Sequence, residues 1–189
     1  MTDASYIDTY LDETVAIARS LDRAEVEATL GRLRRLKTEG GRLFILGVGG
    51  SAGNASHAVN DFRKIAQIEA YAPTDNVSEL TAWTNDVGWD VVFERWLRTS
   101  KLGAKDCLLV FSVGGGSATT SRNLVLAMEH AKSVGASILS IVSRDGGKAK
   151  ELGDVAILIP VVSPDRITPH AEGWQGVVWH LLVNGLGTC

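Results

Sequence analysis

Cysteine is almost missing from this chain of 189 residues, which has only Cys107 and Cys189. Their spacing fits neither a metal knuckle nor a disulfide framework, so a small stapled fold is excluded. Cys107 sits in the apolar run DCLLVF and reads as a small core residue. A basic surplus is missing too: 19 Lys and Arg stand against 22 Asp and Glu, a formal net charge of −3. Nothing there would neutralise a nucleic-acid backbone, and no nucleic-acid partner is expected. Five tryptophans are present (Trp83, Trp89, Trp96, Trp174, Trp179), but basic residues do not alternate with them as on a single-strand platform. They read as core or subunit contacts. Long hydrophobic runs are absent: the longest, residues 155–162, holds eight residues including a proline. A bilayer span needs about 20, so no membrane partner is expected. The start MTDASYIDTYLDE is acidic and lacks the basic and apolar segments of a secretory leader. A soluble cytoplasmic protein is the expectation.

What is present is ordinary globular material, 45% hydrophobic and 22% charged, enough for one domain with a sizeable core. Residues 4–39 carry two helical periodicities, Ile7, Tyr10, Leu11, Val15 and then Val26, Leu30, Leu33, Leu36. Asp22 and Glu25 have capping-box spacing, and Gly40-Gly41 stops the second helix. A helical hairpin over 1–40 therefore precedes an α/β core over 41–189. In that core strands are predicted at 42–47, 68–72, 107–111, 137–142 and 155–159. Helices are predicted at 52–65, through most of 77–99, at 118–134 and 147–152, and from about 171. ILGV, LLVF and VAILI are apolar without alternation, as strands buried on both faces are. That implies a parallel sheet covered by helices.

Ligands of such sheets bind at the carboxyl ends of the strands. Two loops there are rich in glycine and serine: GVGGSAGN after the first strand and SVGGGS after the third. Glycine uncovers backbone N–H groups, the following helix start adds partial positive charge, and Ser51, Ser112 and Ser117 add hydroxyls. Two such loops favour a phosphate cradle over a pair of plain tight turns. Residues 47–52 also match a G-x-G-x-x-A dinucleotide fingerprint with Glu69 as the acidic partner, a reading that leaves the second loop unexplained.

Ionisable side chains follow. His57 and Asp61 are four apart on the helix after the first loop, while Glu172 and His180 are eight apart on the last helix. Two imidazoles and two carboxylates could ligate zinc or a similar ion, or act as acid and base beside a carbonyl. His130 reads as a partly exposed helix position, and His170 lies in the approach to the last helix.

Together GVGGSAGNASHAVNDF, TNDVGW, SVGGGSATT, SRDGGK and WQGVVWHLL resemble the sugar isomerase (SIS) domain family, and within it the phosphoheptose isomerases. The resemblance runs over nearly the whole chain. It implies a flavodoxin-like three-layer αβα sandwich with a five-stranded parallel sheet, and a homotetramer with active sites between subunits. It also implies an aldose–ketose isomerase acting on a phosphosugar. Carried across, it puts Gly49, Gly50 and Ser51 in the sugar-phosphate pocket, Asn85 and Asp86 on sugar hydroxyls, and Ser112, Val113, Gly114 and Ser117 on phosphate. It makes Asp61 or Glu172 the base and His180 the acid, with one zinc ion held by His57, Asp61, Glu172 and His180. The chain departs from the family pattern at Val48 for asparagine and at Asp61 for glutamate. It departs again at Glu172 for glutamine, and in SVGGGS, where STSGNS is common. Non-catalytic family members that sense a sugar phosphate or scaffold a partner are the rival reading, and an isomerase of another phosphosugar is the second.

Overall fold

The computed structural model describes residues 2–187, so Cys189 lies outside the described residues. The chain opens with α1 (Asp3–Ser20) and α2 (Arg23–Glu39). Asp22 caps α2 by accepting the Ala24 N–H at 2.8 Å, and Gly40 ends it in the left-handed region at φ 66°. The reciprocal bond from Glu25 that a capping box requires is not found among the described residues.

Five strands follow: β1 (Leu43–Leu46), β2 (Ala70–Tyr71), β3 (Cys107–Phe111), β4 (Ser137–Ser143) and β5 (Val155–Ile159). They lie in the order β2-β1-β3-β4-β5, all parallel, with Leu43 opposite Cys107 and Phe111 opposite Ile141. The helices between and after them are α3 (Gly50–Lys64), α4 (Val77–Asp86), α5 (Val92–Thr99), α6 (Arg122–Ser133), α7 (Gly147–Leu152) and α8 (Ile167–Gly187). The pleat sends alternate side chains to opposite layers. Leu43, Ile45, Leu109 and Phe111 pack with Leu33, Phe62, Trp179 and Leu182 of α2, α3 and α8. Phe44, Leu46, Leu108 and Val110 pack with Phe93, Met128 and Ala149 of α5, α6 and α7. Both faces of the sheet are covered, which is why β1, β3 and β5 are apolar throughout, while β4 also buries Ser140 and Ser143.

Some boundaries differ from the periodicity reading, each for a local reason. The segment 77–99 breaks at Gly88, whose φ of 105° ends α4 before α5 begins. Helix α6 starts at Arg122 rather than 118, because Ser117 Oγ accepts the Thr119 and Thr120 N–H groups and Ser121 is left-handed. Helix α8 starts at Ile167 rather than 171. Pro169 is tolerated in its first turn, where no intrahelical N–H is needed. His170 therefore belongs to α8. On α1 only Ile17 is buried, whereas Tyr6, Ile7, Leu11 and Val15 face outward.

Candidate functional site

Strands β1 and β3 are neighbours, yet α3 and α6, which follow them, cover opposite faces of the sheet. Their connecting loops must part, and a crevice opens at this topological switch point. Next to it, between the segments that follow β3 and β4, is a cavity of about 480 Å³ lined by Ser112, Gly114, Ser117, Thr120, Ser121 and Arg144. A second space of about 250 Å³ shares several of these and adds Val48, Ser51, Val113 and Thr168. Five residues of the second glycine loop (Ser112, Val113, Gly114, Gly116 and Ser117) and two of the first (Val48 and Ser51) line these two spaces; Gly49 and Gly50 line neither. Sequence reasoning missed Thr120, Ser121, Arg144 and Thr168. The SRDGGK motif around Arg144 was the signal available.

The second loop is stapled to the segment after β4. Ser143 donates its N–H to Val113 O at 3.0 Å, Lys148 to Gly116 O at 3.0 Å and Ala149 to Gly115 O at 2.9 Å. The approach is so close that a Cβ at Gly115 would strike Gly146 O, and one at Gly147 would strike Gly114 O. In the first loop Gly49 caps α3 at φ 65°, and the missing side chain of Gly50 leaves room for the Glu172 carboxylate. Asn85 and Asp86 lie at the exposed end of α4, bonded to each other at 2.9 Å, and line neither cavity in the single chain. Glu69, the acidic partner in the dinucleotide reading, accepts the Tyr71 hydroxyl at 2.7 Å.

Helices α3 and α8 pack against each other and carry the ionisable cluster. His57 Nε2 lies 3.9 Å and His180 Nε2 3.7 Å from Asp61 Oδ2, and the two imidazole rings stand at 90° with centroids 5.5 Å apart. Asp61 is 9% exposed, and its other oxygen accepts Asn60 Nδ2 at 2.8 Å. His180 Nδ1 donates to Gly176 O at 2.7 Å, which leaves Nε2 as the ring nitrogen facing Asp61.

His57, Asp61 and His180 each offer a donor atom within 4.8 Å of the others. Two imidazole nitrogens and a carboxylate oxygen, one nitrogen already oriented by a carbonyl, suit a divalent ion of the zinc type with an open position. Glu172, expected as a fourth ligand, is outside this group. At 100° per residue the eight positions from Glu172 to His180 leave them about 80° apart around α8, whereas His57 and Asp61 are about 40° apart around α3. Glu172 instead points at Gly50 with no hydrogen bond to its carboxylate among the described residues, while Asn54 Nδ2 holds its backbone carbonyl at 2.9 Å and Gln175 Oε1 at 3.0 Å.

The start of α8 is tied down from α1. Glu13 accepts Arg166 Nη2 at 2.5 Å and Arg166 Nε at 2.8 Å, and lies 2.8 Å from His170 Nε2. His170 is buried and stacked on Tyr10 at 4.6 Å. The Arg166 hydrogen bonds, and then the His170 one, hold the Glu13 carboxyl at about 2, well below the usual range.

A parallel αβα domain with a glycine-lined crevice and an imidazole–carboxylate cluster beside it has the make-up of a sugar-phosphate domain. The SIS domain family matches residues 9–143, and the chain belongs to that family. The phosphoheptose isomerase of Helicobacter pylori strain HPAG1 is 36% identical over 180 residues, covering 92% of this chain and 89% of that protein. A lincomycin biosynthesis protein of Streptomyces lincolnensis is 36% identical over 155 residues, and this chain spans 54% of its length. Among solved structures, a phosphoheptose isomerase of Neisseria gonorrhoeae shares the fold with a TM-score of 0.85 at 23% identity, covering 100% of both chains.

Proposed function

We propose that the chain is a phosphoheptose isomerase interconverting sedoheptulose 7-phosphate and D-glycero-D-manno-heptose 7-phosphate through an enediol. The observation that carries this reading is the juxtaposition of two half-sites on α3. Ser51 in its first turn lines the crevice, and His57, about 9 Å further along the axis, faces Asp61 and His180. One half suits a phosphate and the other suits the carbonyl end of the same sugar. The Helicobacter pylori relative, matched over nearly the whole chain, supports the same reading.

In the ketose-to-aldose direction a base takes a proton from C1, the enediol forms, and the proton returns at C2 while the O1 hydroxyl proton passes to O2. Glu172 is the better candidate for the carbon proton: its carboxylate is unengaged and lies on the first glycine loop. Asp61 is enclosed by two imidazoles. The Nε2 lone pair of His180 is set to carry the oxygen proton. His57, Asp61 and His180 would hold a zinc-type ion, which when bound polarises the sugar oxygens as a Lewis acid. His180 has one lone pair at Nε2, so ion binding and proton carriage there are alternatives.

The exposed apolar residues of α1, with Val177 and Leu181 bordering a groove of about 490 Å³ between α2 and α8, support a homo-oligomer, a tetramer by the family resemblance. Asn85 and Asp86 are the proposed sugar-hydroxyl contacts of that assembled site. No helix among the described residues is long and apolar enough to cross a membrane. A cytoplasmic location belongs to the same proposal.

The test is deuterium exchange from solvent into sedoheptulose 7-phosphate, with and without chelator. Glu172→Gln should slow exchange by about 10²- to 10⁴-fold, the usual worth of a general base, while retaining sugar-phosphate binding. Asp61→Asn should chiefly lower metal content. Exchange lost in Asp61→Asn but normal in Glu172→Gln would move the base to Asp61; no exchange in the wild type would end the isomerase reading.

A further inference from the structure

The crevice has donors to spare but little charge. Ser112 Oγ accepts the Gly115 N–H at 3.1 Å, and Ser117 Oγ accepts two backbone N–H groups, so both hydroxyl oxygens serve the loop itself. The N–H groups of Ser112, Gly115 and Ser117 are bonded to Ile141 O, Ser112 Oγ and Thr120 O. Val113, Gly114 and Gly116 contribute N–H groups without a partner among the described residues, and no polar side chain. A phosphate ester carries nearly two negative charges at neutral pH, which neutral donors bond but do not compensate.

Among the described residues lining the larger cavity, Arg144 is the sole cation. It lines the smaller space as well, is exposed, and makes no ion pair or hydrogen bond among the described residues. Its neighbour Asp145 lines the same cavity and forms no ion pair with it among the described residues; that carboxylate accepts the Gly147 N–H at 3.1 Å. Arg144 is held in place by its backbone. Ser143 before it bonds Val113 O through N–H and Ile159 O through Oγ, and the Gly146 N–H closes back on Ser143 O at 3.0 Å. Between these ties Arg144 is left-handed at φ 56°, a conformation unfavourable for a residue with a side chain. Ser121, across the same cavity, is left-handed as well at φ 51°. The Arg144 Cδ runs along the open side of Gly114, 3.9 Å from where a Cβ there would stand.

We propose that Arg144 is the charged member of the phosphate cradle, its guanidinium pairing with the substrate phosphate that the free N–H groups of the second loop approach from the other side. The assignment rests on the phosphosugar reading above and supplies the affinity-determining residue that the loop lacks. A planar guanidinium meets two phosphate oxygens at once, and lysine reproduces only the charge.

The experiment titrates the chelator-treated full chain with inorganic phosphate and, separately, with sedoheptulose 7-phosphate, using wild type, Arg144→Met and Arg144→Lys. A charged hydrogen bond is worth enough that Arg144→Met should weaken both ligands by about 10- to 100-fold, with Arg144→Lys between. In turnover KM should rise by more than kcat falls, and the salt dependence of affinity should flatten in Arg144→Met. Gly114 has room for a side chain, so adding Val113→Thr and Gly114→Ser to Arg144→Met should recover part of the affinity by supplying hydroxyls. That recovery also separates a charge effect from misfolding. Equal phosphate affinity in wild type and Arg144→Met overturns the assignment, and so does a wild type that binds no phosphate. Arg144-dependent phosphate binding without turnover of sedoheptulose 7-phosphate supports the cradle and overturns the isomerase reading alone.

Discussion

Replacing Asp106 by alanine should lower stability substantially while sparing the crevice, because the two lie at opposite ends of the sheet. Asp106 is 6% exposed and sits just before β3. It accepts the Arg42 N–H at 3.0 Å, Arg42 Nε at 3.1 Å, Arg42 Nη2 at 2.7 Å and the Gly103 N–H at 2.9 Å. Arg42 in turn caps α5 by donating to Ser100 O and Lys101 O, both at 3.0 Å. Without the carboxylate two backbone N–H groups are orphaned, at about 1–3 kcal/mol each when fully buried, and the guanidinium loses its counter-ion. The Arg42 side chain is 30% exposed, so water recovers part of that loss, and the net expectation is about 2–4 kcal/mol. For a chain of this size that is a drop in Tm of roughly 5–12 °C. Thermal and urea denaturation at one fixed protein concentration measure it, since an oligomer's Tm moves with concentration. Phosphate affinity measured below the transition should match wild type. A Tm shift under 2 °C would refute the ledger, and a parallel loss of phosphate affinity would refute the separation of the two ends.

Two further outcomes follow from the edges of the fold. The Glu13 carboxyl titrates at about 2 when folded and near 4.5 when free, so its contribution is complete above pH 4.5 and disappears as pH falls towards 2. In chelator-treated protein, Glu13→Gln should be less stable than wild type at pH 6 and close to it near pH 2; an unchanged gap across that range would show that the Arg166 and His170 contacts do not hold the carboxylate. In the proposed homo-oligomer, Leu11→Glu on the outward face of α1 should shift the distribution towards smaller species in sedimentation, and an unaltered distribution would overturn α1 as the subunit contact.

Much of the architecture was legible because buried parallel strands and glycine loops write themselves into composition. The i, i+4 pair of His57 and Asp61 was legible for the same reason: its geometry is local. What failed to show was long-range. Periodicity said that α1 has an apolar face, but not that the face would turn away from the core. His170 read as a loop approach because its partner, Glu13, is 157 residues away. His130 read as partly exposed, yet it is buried with Nδ1 unpartnered; burial, then the nearby Arg98 charge, hold its pKa below the usual histidine value. Glu172 and His180 read as one face, but a separation of eight residues is a poorer match to the helical turn than four or seven. Arg144 was missed because the two motifs that flank it, SVGGGS and SRDGGK, are visible separately, whereas their meeting across some thirty residues and the left-handed backbone at Arg144 are not.

The glycines of the two loops look alike in sequence, and the fold uses them for different ends. At Gly50 the missing side chain is filled by the carboxylate of Glu172 from another helix, so that glycine decides where an acidic group can reach. At Gly115 and Gly147 the missing side chains are filled by backbone carbonyls of the facing loop, so those glycines decide how rigidly the cradle is held. In the proposed site the first arrangement sets the Glu172 carboxylate beside the first loop, and the second fixes the backbone around Arg144 before any ligand arrives. A preorganised anion cradle and a separately positioned base can then vary independently. On the proposed reading, a chain with valine and glycine in this loop gains from Arg144 the charge that the loop lacks, and the ionisable cluster on α3 and α8 is left undisturbed.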